Sequence, residues 1–425
     1  MIFIGMTWLL IWGGMFTGFY NIVVDGWMSA PLSLFQGIRA FFPLLALYIC
    51  MMWVFTAKMR FPKFLTPLGL FFYYGLVGFV ISFLSPDPLR SLYWASLFLA
   101  PVLAVWICRE NEETLDSIRT VVHINYATAI GLFLIILFKI APKGLSVSGL
   151  QFYELPFGLG EMNANGVGRF SLIVIIIGGV RFFFTKSKVR FAWLGLFFMG
   201  VYLLMITQSR TALLGLGVAS VLFVFTMGFR WYYVLAGPLV SFIIWQSGYR
   251  SRAKGEVRLL MNLSGRESTW SEAFALIKKS PILGWGFHSD RIMLESQHIH
   301  NSYIHATIHS GILGLILFTA AVVSIWYVIL REKVIRRVGV YEGNDKPLLM
   351  ECLLLIGFFS ARSLFESTAA FFGVDLLLFI PAIVFLYKWA HGNYDRVEEP
   401  GDFAAAPQNL KAQRQVALEE FEHIR

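Results

Sequence analysis

Runs of about 20 apolar residues return a dozen times along this chain, and nothing else in it narrows the fold so far. At 1.5 Å of rise per residue, such a run matches the roughly 30 Å hydrocarbon core of a bilayer. Spans are expected near 2–24, 31–57, 64–84, 89–108, 120–140, 164–184, 190–207, 209–228, 230–247, 301–330, 347–366 and 370–390. Only Gln208, Ser209 and Arg210 separate the seventh from the eighth. Lipid offers no partner to backbone N–H and C=O groups, so each run must close its own hydrogen bonds as a helix. The expected fold class is an all-α integral membrane protein of about 12 transmembrane helices. Composition agrees: 57% of residues are hydrophobic and 14% charged, where a soluble domain carries about a quarter charged.

The formal charge of +9 is divided among short loops, which argues against a nucleic-acid surface and for basic cytoplasmic loops. Even-numbered loops hold Lys58, Arg60 and Lys63; Arg109 and Arg119; Arg181, Lys186, Lys188 and Arg190; and Arg331, Lys333, Arg336 and Arg337. The short odd-numbered loops at 25–30 and 367–370 hold none. By the positive-inside rule both termini are expected in the cytoplasm and the long segment 246–300, between the ninth and tenth spans, outside. Residues 1–20 have no basic lead and no small-residue cleavage site, so they read as a retained first span rather than a signal peptide. Residues 1–390 form the membrane domain and 391–425 a polar cytoplasmic tail, while 141–163 is expected as an external loop rich in Gly and Pro. Cys50, Cys108 and Cys352 lie in or beside apolar runs and spell no disulfide framework.

The long loop carries its own helix signal. Ser264-Gly265-Arg266-Glu267 has capping-box spacing, and Trp270, Ala273, Phe274 and Ile277 then recur on one helical face. Lys278 and Lys279 suit the last turn, and Pro281 stops it. A helix is expected from near Gly265 to near Lys279. Arg266 opposes the dipole in its first turn, which makes sense if an anion binds there; the alternative is a solvated surface arginine.

Three stretches occur in a telling order. The first is Thr207-Gln208-Ser209-Arg210-Thr211-Ala212. Gly265-Arg266 follows, with Trp270 and Pro281-Ile282-Leu283-Gly284-Trp285-Gly286. The third is His298-Ile299-His300-Asn301-Ser302-Tyr303, leading into Gly311-Ile312-Leu313-Gly314. Together, over about 205–318, they resemble the O-antigen ligase and O-antigen polymerase superfamily; elsewhere the likeness is one of topology, with a late Arg362 and Glu366 pair. The resemblance implies a C-type glycosyltransferase-like bundle at the bacterial inner membrane. It also implies transfer of a glycan from undecaprenyl diphosphate to an acceptor hydroxyl on the outer face, with inversion. The partners would be the lipid-linked glycan, an acceptor glycan or lipid A-core, and membrane lipid. No cofactor, nucleotide sugar or metal is implied, because the lipid diphosphate is itself the leaving group.

Residue by residue, the resemblance makes His300 the base, with His298 as runner-up, and Arg210 and Arg266 the diphosphate ligands. A guanidinium grips phosphate oxygens in pairs and keeps its charge, and an imidazole takes a hydroxyl proton near neutral pH. The plain alternatives are an arginine snorkelling to the interface and a hydrogen-bonded loop histidine. Asn301 belongs to the His-Asn motif. Asn163, Asn165 and Arg169 resemble a polar patch of the family, and Arg362 and Glu366, four apart, are expected to share a helix face and pair. Asp375 has no assigned role. A competing reading groups His298, His300, His305 and His309 as a metal site.

A ligase is favoured over a polymerase by the Ser-Arg and His-Asn motifs. The reading from another class is a transporter or flippase for lipid-linked saccharide. It calls for related halves and charges at mid-membrane, and this chain has no internal repeat and places its suspicious cations at the outer face. A scaffold for other biosynthetic proteins is the third.

Overall fold

A computed structural model describes residues 2–15, 37–59, 61–110, 115–143, 152–154, 161–228, 266–294 and 299–392. The expected span at 230–247, residues Ser264, Gly265 and His298, and the tail beyond 392 lie outside the described residues.

The helices are α1 (Ile2–Gly13), α2 (Phe42–Thr56), α3 (Pro67–Ile81), α4 (Pro88–Glu110), α5 (Asp116–Ile140), α6 (Ala164–Phe184), α7 (Arg190–Thr207) and α8 (Arg210–Met227). They continue as α9 (Arg266–Lys279), α10 (Ser289–Met293), α11 (Ser302–Arg331), α12 (Val334–Val340), α13 (Lys346–Arg362) and α14 (Val374–His391). Among the described residues, nine helical segments are long and apolar enough to cross a membrane. The chain is therefore an all-α integral membrane protein in its architecture.

Local chemistry starts and stops these helices. Pro67 opens α3 behind Thr66, whose hydroxyl accepts from the Gly69 N–H at 3.1 Å. The helices α13 and α14 are buried almost throughout, whereas α2, α7 and α8 leave large apolar side chains such as Phe55, Phe198 and Phe225 exposed. A soluble protein has no use for such a surface; a bilayer covers it. Asn125 ties three helices together: its Oδ1 accepts from Trp8 and Trp12, both at 2.7 Å, and its Nδ2 donates to the Leu377 carbonyl at 2.6 Å.

Glycine brings α6 and α7 into close contact. A Cβ on Gly178 would stand 2.9 Å from the Trp193 carbonyl oxygen, and one on Gly200 3.0 Å from that of Ser171. Small residues let backbones approach where no hydrophobic force draws helices together. Nearer the start of α6, a Cβ on Gly168 would meet the Ser209 Cβ at 2.5 Å, so the same packing seats the α7–α8 junction on α6.

The segment 141–163 departs from its expected irregular form. Strands β1 (Phe152–Glu154) and β2 (Glu161–Asn163) pair antiparallel, with Tyr153 opposite Met162. Tyr153 is buried and its hydroxyl donates to the Ile206 carbonyl at 3.3 Å, tying the hairpin to the end of α7.

Candidate active site

Two of the motif stretches adopt the same local build. In each, a non-glycine residue of positive φ is followed by an extended capping residue and then a helix. Gln208 (φ 49°) precedes Ser209, which caps α8; His300 (φ 52°) precedes Asn301, which caps α11. Left-handed backbone at residues with a Cβ is uncommon and clusters at functional sites. The Asn301 Oδ1 accepts from the N–H groups of Tyr303 (2.9 Å) and Ile304 (3.0 Å), and its Nδ2 donates to the Leu364 carbonyl at 3.0 Å. Both ends of that amide are engaged by protein, so Asn301 orients the residue before it.

That residue, His300, meets Glu366: its Nδ1 lies 2.7 Å from Glu366 Oε2. The other carboxylate oxygen accepts from Arg266 at 3.0 Å and from the Asn165 amide at 2.6 Å. Asn165 in turn accepts from the Ser209 hydroxyl at 2.9 Å. Glu366 thus gathers the starts of four helices: α6 through Asn165, α8 through Ser209, α9 through Arg266 and α11 through His300. Each helix N-terminus carries about half a positive charge, which makes their meeting point a place for anions.

The expected Arg362–Glu366 pair on one helix face is corrected. Helix α13 ends at Arg362, and Glu366 lies in the turn beyond, where its N–H donates to the Arg362 carbonyl at 2.8 Å. Ser302 holds this turn, its N–H donating to the Ser363 carbonyl (2.9 Å) and its hydroxyl reaching those of Glu366 (2.9 Å) and Thr368 (2.8 Å). The Arg362 guanidinium goes instead to Asp375, by a short contact, and to the Thr368 hydroxyl at 3.0 Å. Asp375 also accepts from Arg169 at 2.9 Å. Asp375 has no role in the sequence reading, yet it joins the buried Arg362 to the half-buried Arg169; a lone carboxylate in an apolar span was the available signal. Asn163 caps α6, accepting from the Gly166 N–H at 2.7 Å.

Arg266 opens α9, whose observed bounds match those expected. The buried face differs by one position: Ala273 and Leu276 turn inward with Trp270 and Ile277 beside them, while Phe274 is exposed. The Trp270 indole donates to the Ile299 carbonyl at 2.6 Å, which fixes that face one residue round from the expected stripe.

Charge at the site follows from these contacts. Burial alone would raise the Glu366 carboxyl, but the hydrogen bond from His300 and the charges of Arg362, His300 and Arg266 hold it at about 2. Glu366 is therefore ionised and accepts only, so His300 Nδ1 carries a proton and a neutral ring has its lone pair on Nε2. Burial lowers the Arg266 guanidinium, with Arg362 and Arg210 adding repulsion against the pull of Glu366. Arg210, exposed at the start of α8, is thus near enough to Arg266 for their charges to interact. An imidazole backed by a carboxylate, beside guanidinium groups at helix N-termini, can take a proton and stabilise an anion in the same place.

The Pro281–Gly286 motif has a structural use. Helix α11 breaks at Ser310 and Gly311, both with non-helical backbone. The Ile308 and His309 carbonyls accept from Trp285 N–H (2.7 Å) and Gly286 N–H (3.0 Å), and Ile312 N–H donates to the Pro281 carbonyl at 2.9 Å. The motif stitches the break, giving partners to three backbone groups that the interrupted helix would leave open. A continuous span at 301–330 was the expectation; the kink places α10 beside α11.

The four-histidine metal reading is corrected as well. The His300 ring turns to Glu366, His298 lies outside the described residues, and His305 and His309 group with Asp290 instead.

No curated protein matches the chain. A family model described as O-antigen ligase matches residues 194–319, the stretch that runs from α7 through the kink of α11 and holds Arg210, Arg266 and His300. Over that stretch, in a multi-pass helical architecture, the chain is similar to the O-antigen ligase family.

Proposed function

We propose that the chain transfers a glycan from undecaprenyl diphosphate to an acceptor hydroxyl at the outer face of the inner membrane, as a ligase. His300 acts as general base, and Arg210 and Arg266 hold the diphosphate. The observation that carries this reading is the single carboxylate of Glu366 between base and cation, 2.7 Å from His300 Nδ1 and 3.0 Å from Arg266.

In the reaction the acceptor O–H proton passes to His300 Nε2 as its oxygen bonds to the anomeric carbon. The bond from that carbon to the phosphate oxygen breaks, and undecaprenyl diphosphate leaves with the electron pair. Attack opposite the leaving group inverts the anomeric centre. Glu366 keeps the imidazole in the required tautomer and stabilises the imidazolium. Arg210 and Arg266 meet charge that grows on the leaving oxygen, where fixed cations lower the barrier most. The diphosphate is already an activated leaving group, so the step calls for neither a nucleotide sugar nor a catalytic metal. Asn163, Asn165, Arg169, Arg362 and Glu366 surround the donor, and His298 stands two residues from the base. The basic even-numbered loops support a cytoplasmic location for both termini and an external one for 246–300.

Reconstituted chain supplied with undecaprenyl diphosphate-linked glycan and lipid A-core tests the reading. A ligase moves the glycan onto the core, a polymerase lengthens the lipid-linked chain, and a transporter changes neither length nor carrier. Full transfer by His300→Ala overturns the assigned base.

A further inference from the structure

Between the His300 site and the kink of α11 lies a second cluster that the transfer reaction does not use. Asp290 of α10 and His305 and His309 of α11 each point one ligand atom at a common point, all within 4.8 Å of one another. Their relative exposures are 0%, 2% and 0%. Neither oxygen of the Asp290 carboxylate has a partner of hydrogen-bond geometry. Around it stand His305 Nε2 at 3.2 Å and His309 Nε2 at 3.8 Å from Oδ1, with Arg291 Nε 3.9 Å from Oδ2. A buried carboxylate left so poorly met is costly unless a cation completes it.

The outer nitrogens of both rings are already held. His305 Nδ1 lies 2.8 Å from the Ser367 hydroxyl. Tyr74 donates to the Ala370 carbonyl at 2.8 Å, so at 3.3 Å its oxygen accepts from His309 Nδ1–H. Metal-binding histidines are oriented in this way, one nitrogen tied to a neighbour and the other presented to the ion. Four ligands at 2.0–2.1 Å in a tetrahedron stand about 3.3 Å apart. The two Asp290–histidine separations, 3.2 and 3.8 Å, lie close to that edge. The His309 Nε2 lone pair now accepts the His288 N–H at 3.1 Å, and an ion would take its place.

We infer that Asp290, His305 and His309 form a structural zinc site, separate from the transfer chemistry and independent of its assignment. Two imidazoles and one carboxylate suit zinc, and the same donor set also serves iron(II) in oxygenases, where several open positions are needed. Here the rings of Phe287 (4.5 Å from His309) and Phe371 (5.2 Å from His305) wall the cluster, and the three ligands are sealed from solvent. A site sealed in this way suits a structural ion rather than one that must admit a second substrate. The ion would bolt α10 to the kinked helix. Through Ser367, the neighbour of Glu366, it would also steady the turn that holds the carboxylate of the transfer site.

The test is metal content by mass spectrometry on the chain purified in detergent, before and after dialysis against zinc. We expect about one zinc per wild-type chain, a fall to background in Asp290→Asn and His309→Gln, and full zinc in His300→Ala. Wild type that stays at background after dialysis, variants that retain full zinc, or iron in place of zinc would overturn the site. If the variants fail to fold, cobalt(II) loaded into wild type decides: intense visible bands of a tetrahedral ion support the site, and their absence refutes it.

Discussion

His300 Nδ1 and Glu366 Oε2 lie 2.7 Å apart although 66 residues separate them, and this contact joins the start of α11 to the turn after α13. The carboxylate is ionised, the imidazole is oriented, and the cation on its other oxygen is Arg266. Most of what can be tested about this chain follows from that arrangement.

His300→Ala should cut turnover by about a hundred- to ten-thousand-fold, the usual worth of general-base assistance, while donor binding stays near wild type. Arg210→Ala should weaken binding and turnover together. Steady-state transfer assays with a separate donor-binding measurement distinguish the two, and a binding defect in His300→Ala would refute the division of roles.

Arg266→Lys keeps the charge but loses the planar fork that meets Glu366 and a phosphate at once. Loss of one charge-assisted hydrogen bond corresponds to about ten- to hundredfold in activity. Recovery of more than half of wild-type transfer in the lysine variant would show that a point charge suffices.

Glu366 links stability to acid. Its carboxyl falls from 4.5 to about 2 on folding, so its stabilising contribution is complete above pH 4.5 and is withdrawn as the pH drops towards 2. The difference amounts to about 3 kcal/mol as an upper bound. Unfolding followed by tryptophan fluorescence should show wild type losing stability across that window and Glu366→Gln much less. Glu366→Gln should also lose most transfer activity, because an amide cannot stabilise the imidazolium.

Gly311→Ala should destabilise the fold strongly. Its φ is +62°, and an added Cβ would stand 2.0 Å from the Ile282 carbonyl oxygen. The conformation, with ψ at −155°, is one that only glycine adopts readily and costs about 1–3 kcal/mol in a residue with a side chain; the clash adds to it. Thermal unfolding in detergent measures the loss. A melting temperature equal to wild type would mean that the 281–286 segment does not lie on the kink.

Asp375→Asn removes the charge that Arg169 and Arg362 share. Breaking a buried pair in this way costs about 3–5 kcal/mol, since the cations remain buried. Double replacement of both arginines by Met should recover part of that stability; a further fall would refute the account.

Membrane class, helix ends and the order of motifs were legible in the chain itself. Apolar runs of bilayer length leave only helices as solutions, and Ser209, Asn163, Pro67 and Pro281 act within a turn of where they stand. The bounds of α6 and α7 could be read from their apolar runs, and those of α9 from its capping spacing and Pro281. The contacts that assemble the site could not. Glu366 was placed on a helix with Arg362, because spacing of four implies a shared face only while the helix continues, and α13 stops at Arg362. Phe274 was read into the buried stripe, because periodicity sets the width of a face while the partner, here Ile299 and α11, sets its centre. Asp375 stood out only as a lone carboxylate in an apolar span, which marks a buried charge but not its partners. Which carboxylate meets which arginine is decided by helices that cross tens to hundreds of residues apart, through glycines that admit close approach and turns that redirect the chain. Those choices belong to the tertiary structure, because a charge buried in a membrane protein must find a partner in space rather than in sequence.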